Sequence, residues 1–277
     1  MLECLEATFD FLRANRRVWF RSALLLFLPI CILGSLLMFS SLDTEIMDRD
    51  ISFWTGFFFN NFENNYVISI VMAFVANLMI FVQVYSLLLA NEASADGVEG
   101  MSIKELRPWF IIAARRSWYL PFVFVALLLL ILIPFLNIAL VVCLVPLCLL
   151  PSLHIIGRLN IGEAAMKSIS LGFPIWFKLA FNIILVSLLG LYVFLMLFLP
   201  TGILAWIMET ISTTQLHDLE KLFVIAMGFV FTVLAFFGLY VVQSMVMLVC
   251  AYHYGSLSEE KDASSLEKEV ADFENER

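Results

Sequence analysis

Three glutamates stand at one fixed spacing from three tryptophans. Glu6, Glu105 and Glu163 each precede a tryptophan (Trp19, Trp118 and Trp176) by thirteen residues. Carboxylates repeated in this way could face a common cytoplasmic vestibule and line a substrate path. The same residues have a plainer use. A glutamate near a helix N-terminus offsets the helix dipole, and a tryptophan beside a long apolar run anchors that run at a membrane boundary.

The other residues able to do chemistry form no constellation. His154, His217 and His253 have no Cys, His or acid at metal-ligand spacing on a shared helix face. The cysteines are Cys4, Cys31, Cys143, Cys148 and Cys250; four lie in or beside apolar stretches, where the small hydrophobic role of a buried thiol is expected. No zincin helix, nucleophile elbow or phosphate loop is present, and the Gly172-Phe173-Pro174 run reads as a helix end. A non-enzymatic chain without cofactor or metal is the expectation.

Composition identifies the medium that must position these residues. Of 277 residues, 62% are hydrophobic and 14% charged, against roughly 25% charged in a soluble domain. A bilayer core of about 30 Å takes roughly 20 apolar residues as helix, and lipid leaves isolated strands unsatisfied. The apolar runs are continuous rather than alternating, so the fold class is all-α and polytopic. Six spans are predicted: Ser22–Leu42, Tyr66–Ala90, Tyr119–Phe135, Ile138–Ile156, Phe177–Leu199 closed by Pro200, and Leu222–Tyr252. Pro134 and Asn137 mark a tight hairpin between the third and fourth. No cleavable signal peptide is expected, because the first twenty residues mix acids with bases.

Lys and Arg orient the spans. With the N-terminus in the cytoplasm, fourteen fall on inside segments and two, Arg49 and Lys221, outside. Both termini are then cytoplasmic, in a bacterial inner membrane. The inside cations suit anionic headgroups, at about 1 kcal/mol each near the surface. A net charge of −8 argues against nucleic acid as a partner. The outer stretches Asp43–Asn65 and Pro200–Lys221 carry aromatic runs suited to the headgroup boundary.

The glutamate–tryptophan spacing then reads as three repeats of one unit, an amphipathic surface helix followed by a descent. The expected apolar faces are Leu5, Phe9 and Leu12; Leu106, Phe110 and Ala113 or Ala114; and Ala165, Ile169 and Phe173. Residues 1–255 form the membrane domain and 256–277 an acidic cytoplasmic tail. Ser264 and Glu267 resemble a capping box opening a short tail helix through Leu266, Val270 and Phe273, a docking segment for a protein partner or a frayed end.

Neutral polar residues inside the spans carry weight because lipid makes them costly. Asn77, Gln83, Asn182 and Gln243 are the amides; Ser187 and Ser244 accompany them. They serve either as interhelical hydrogen bonds or as the lining of a substrate path.

Val145–Pro200 carries Ala165, Lys167, Ser168, Leu171 and Gly172 before Trp176 and Phe177. This run resembles the membrane domain fused to some glycerophosphodiester phosphodiesterases and found in related stand-alone bacterial proteins; the Lys that usually precedes the Gly is missing. Tyr254, Leu257, Glu259 or Glu260, Lys261 and Leu266 resemble the tail of a stand-alone group common in Bacteroidetes. The resemblance implies a six-span membrane fold without a reaction, because the phosphodiesterase activity belongs to a soluble barrel that these residues do not include.

Overall fold

A computed structural model describes residues 3–40, 66–94, 97–123, 137–210 and 218–275. The described residues are helical throughout, with no strand among them. The helices are α1 (Glu3–Ala14), α2 (Arg16–Ser40), α3 (Tyr66–Ala93), α4 (Ile103–Ser117), α5 (Asn137–Leu147), α6 (Leu150–Ile155), α7 (Ile161–Gly172), α8 (Trp176–Thr210) and α9 (Asp218–Asn275). Four stretches are long and apolar enough to cross a membrane: Arg16–Leu36, Val71–Ala93, Trp176–Leu204 and Phe223–Glu260. The first outer loop, the third span beyond Val123 with its hairpin at Pro134, and residues 211–217 of the second outer loop lie outside the described residues.

The chain divides into two units. The first comprises residues 1–19, 81–186 and 244–277; the second comprises 20–80 and 187–243. The first unit holds most of the buried core. One cluster joins Tyr85 and Leu89 of α3 to Leu150 and Leu153 of α6, Ala164 of α7, Leu179 of α8 and Cys250 of α9. A second joins Phe11 and Leu12 of α1 to Val84 and Leu87 of α3, Leu106 of α4 and Leu248 of α9. In the second unit α8 and α9 leave Leu188, Leu191, Leu195, Leu199, Phe223 and Val230 exposed, as lipid-facing helices do when the solvent is as apolar as the side chain. There Val242 fills the notch left by Gly190, and Thr201 Oγ1 reaches Thr232 Oγ1 at 3.4 Å.

Several boundaries differ from the sequence reading, each for a local reason. The stretch expected as one span over Ile138–Ile156 is two helices. Pro146 lies in the last turn of α5, Cys148 and Leu149 turn, and Pro151 opens α6. A ring that lacks an N–H weakens the helix behind it and suits the first turn of the one ahead. Pro200 does not close the fifth span: α8 runs through it to Thr210. One lost backbone bond can be met by neighbouring groups in a packed apolar helix. The last helix has no new start at Ser264. α9 continues without a break to Asn275, because Gly255 alone does not stop a helix and the run beyond it is rich in Glu, Lys, Ala and Leu. At about 1.5 Å per residue α9 is about 87 Å long, far beyond a bilayer core.

The short helices bury only part of the expected apolar stripes against the protein: α4 buries Leu106 and Ala113, while α1 and α7 leave Phe9 and Phe173 exposed. In α7 the buried residues are Ala164, Ser168 and Gly172, while Phe173 is exposed. In α1 they are Thr8, Phe11 and Leu12, and Phe9 is exposed. Small residues let backbones approach closely, which favours them at helix contacts in apolar surroundings. The approach at Gly172 is extreme: a Cβ there would stand 2.7 Å from Pro146 Cα.

Candidate functional site

Several polar groups of the first unit line one cleft. Three elements build it. The face of α9 that carries His253, Ser256 and Glu260 supplies one wall, since residues three, four and seven apart stack on one side of a helix. The start of α8 supplies Lys178, placed by the Phe173–Ile175 break that lets α8 begin at Trp176. The start of α1 supplies Glu3 and Cys4. Ile175 and Leu257 add the apolar part of the lining, and the cleft holds about 80 Å³.

The base of one wall is buried. Asn182, one turn beyond Lys178, places Nδ2 2.9 Å from His253 Nε2, and both residues are buried. With the amide donating, the neutral imidazole keeps its own proton on Nδ1. Cys4 is half-buried, and burial pushes its thiol above the ordinary range; a hydrogen bond with Ser256 pulls partly the other way. A thiol held protonated is a poor nucleophile; among the described residues the cleft offers one lysine, two carboxylates and a few neutral donors and acceptors.

A second polar group closes the end of α6. Tyr85 OH lies 3.0 Å from Ser152 Oγ, and Arg116 Nη1 donates to the Ile155 carbonyl at 2.9 Å. His154 Nδ1 donates to the Leu159 carbonyl at 2.7 Å, and its Nε2 accepts from Tyr119 OH. The Arg116 bond satisfies a carbonyl in the last turn of the short helix, where intrahelical partners are lacking, and Tyr85 and Arg116 tie α6 to α3 and α4.

The sequence candidates distribute as follows. Glu6, Glu105 and Glu163 lie in the first turns of α1, α4 and α7, and all three are exposed. Glu105 forms a capping box with Ser102: the Ser102 N–H donates to Glu105 Oε2 at 2.8 Å, and the Glu105 N–H to Ser102 Oγ at 3.4 Å. None of the three lines the cleft, whose acids are Glu3 and Glu260. The tryptophans occupy unlike places. Trp19 is buried in the core, Trp118 is 57% exposed, and the Trp176 indole N–H donates to the Val142 carbonyl at 2.8 Å. A constant count from each glutamate does not produce a constant position, because the helices before the breaks have 12, 15 and 12 residues and the breaks differ in length.

Of the amides, Gln83 donates to the Trp19 carbonyl at 3.2 Å, joining α3 to α2, and Asn182 meets His253. Asn77 donates to Ala73 of its own helix at 2.8 Å and is exposed, and Gln243 is exposed on α9. Sequence reasoning singled out Asn182 but missed His253, Lys178 and Glu3. Its only available signal was the proximity of Lys178 to Asn182 at one helical turn. Comparison with models of known families, with curated proteins and with solved structures finds no match for this chain.

Proposed function

We propose that this protein is a six-span integral protein of a bacterial inner membrane, with both termini cytoplasmic, acting as a non-enzymatic scaffold, assembly or envelope-homeostasis component. The observation that carries the reading is the use made of the buried amides: Gln83 and Asn182 each tie one helix to another, which is cohesion rather than a passage. The placement of charge supports the sidedness. Thirteen of the sixteen Lys and Arg fall within the first unit, with Arg21, Arg49 and Lys221 in the second, an asymmetry of the kind that sets orientation. On this reading α1, α4 and α7 are the cytoplasmic surface helices, and the tail after Gly255 offers a partner its charged helix. The resemblance to the membrane domain of glycerophosphodiester phosphodiesterases accords with it, the matching residues lying on α7 and at the start of α8.

A second reading, a small transporter or lipid-handling protein, is favoured by the cleft, which sets Lys178 at the start of an apolar helix beside two carboxylates. Flux into liposomes separates the two. The scaffold reading expects no flux of ions, amines or lipids above that of empty vesicles. Flux that disappears when Asn77, Gln83 or Gln243 is replaced by Leu, with the protein still folded, would establish a path instead.

A further inference from the structure

The cleft's position and charge together select a ligand. Lys178 is the third residue of the apolar helix that starts at Trp176. On the membrane reading the cleft therefore stands where that helix enters the hydrocarbon, at the depth of lipid headgroups. Among the described residues its charged lining is one cation on α8, Lys178, and two carboxylates, Glu3 on α1 and Glu260 on α9.

Each common headgroup meets this lining differently. A phosphate accepts from the Lys178 ammonium. A primary ammonium donates hydrogen bonds that Glu3 and Glu260 can accept. A quaternary ammonium has no such bonds to give and is recognised by aromatic faces; among the described residues no Phe, Tyr or Trp lines the cleft. An anionic headgroup without an amine would bring its charge against two carboxylates and one lysine. Ile175 and Leu257 supply apolar surface for the glycerol end, where a headgroup joins its acyl chains.

We propose that this cleft seats the headgroup of a phospholipid bearing a primary ammonium, its phosphate at Lys178 and its ammonium between Glu3 and Glu260. The proposal rests on the chain crossing a bilayer and on nothing further about transport or scaffolding. The lipid, rather than a soluble phosphoethanolamine, is the occupant, because the cleft sits at the membrane edge and Ile175 and Leu257 give it an apolar side.

The test places the full chain in nanodiscs of phosphatidylcholine doped equally with phosphatidylethanolamine and phosphatidylglycerol, and counts retained lipid by native mass spectrometry. Retention of phosphatidylethanolamine over both others by about tenfold is expected, the discrimination one well-formed charged contact supplies. Lys178→Gln is expected to release it. Glu3→Gln with Glu260→Gln is expected to abolish the preference over phosphatidylglycerol while phosphate binding persists. Hydrogen exchange in α7, away from the cleft, reports whether each variant remains folded. Equal retention of the three lipids by the wild type overturns the proposal, as does a preference that survives all three substitutions. Displacement of the lipid by soluble phosphoethanolamine at matched concentration overturns the lipid as occupant. A chain that does not enter nanodiscs at all overturns the membrane reading itself, a failure distinct from loss of selectivity.

Discussion

Asn182 and His253 share a 2.9 Å hydrogen bond inside an otherwise apolar contact, and Tyr85 and Ser152 share another. Such pairs exist because a polar atom removed from water must find a partner or incur the full cost of its desolvation. Removing one member exposes that cost: Asn182→Leu is expected to destabilise the first unit by about 1–3 kcal/mol, measured as a shift in the SDS or urea midpoint of the solubilised protein. Gln83→Leu should be milder. It removes one tie to a backbone carbonyl, and such interhelical bonds average about 0.6 kcal/mol in membranes. Gly172→Ala tests packing rather than polarity. The added Cβ would meet Pro146 Cα at 2.7 Å, so α5 and α7 must separate, at a cost of about 1–3 kcal/mol by overpacking. An unchanged midpoint in Gly172→Ala would contradict the close approach of these helices.

At the scale of elements, the glutamates are explained by where helices begin. Glu105 stands at the third helical position behind Ser102 and completes a reciprocal cap. Ser102→Ala should cost about 1 kcal/mol and fray α4, seen as faster hydrogen exchange over residues 103–106. Glu105→Gln, which retains the accepting oxygen, should cost less. Equal effects of Glu105→Gln and Glu105→Ala would favour a role for the charge itself. The starts were legible through their glutamates, acids suited to a first turn, and the Gly-Phe-Pro run marked a helix end; the Ser102 cap was not read, and the Ser264–Glu267 pair that resembles a capping box opens no helix. The face each short helix buries was legible only in part. The apolar stripe Ala165, Ile169 and Phe173 is as regular as the small stripe Ala164, Ser168 and Gly172, and in an apolar chain hydrophobicity no longer tells inside from outside. Prolines were misread for a related reason. Pro200 interrupts one bond within a long helix, whereas Pro146 and Pro151 together frame a turn, and only neighbouring structure separates the two cases.

For the whole molecule, the concentration of Lys and Arg in the first unit makes the topology testable. Reporters fused at either terminus should both signal cytoplasm: active β-galactosidase-type fusions and inactive periplasmic phosphatase-type fusions at residue 1 and residue 277. Opposite signals at the two ends would exclude an even number of spans. Placing several Lys in the stretch 43–65 should disturb the orientation of the first two spans, since short loops set it through their positive charge.

The sequence by itself determined the solvent of this protein, the helical class, the approximate position of its long apolar helices and the uneven distribution of its cations. These follow from composition and from runs of neighbours, and lipid permits few alternatives to helix. Only the tertiary structure decided which polar residues meet. Glu3, Lys178 and Glu260 come from three helices far apart in the chain, and Asn182 finds His253 across 71 residues. No spacing encodes such meetings, because they depend on how helices rotate and cross when small residues let their backbones approach. The fixed count from glutamate to tryptophan, conspicuous along the chain, marks helix starts in space, while the cleft is built largely from residues with no pattern at all.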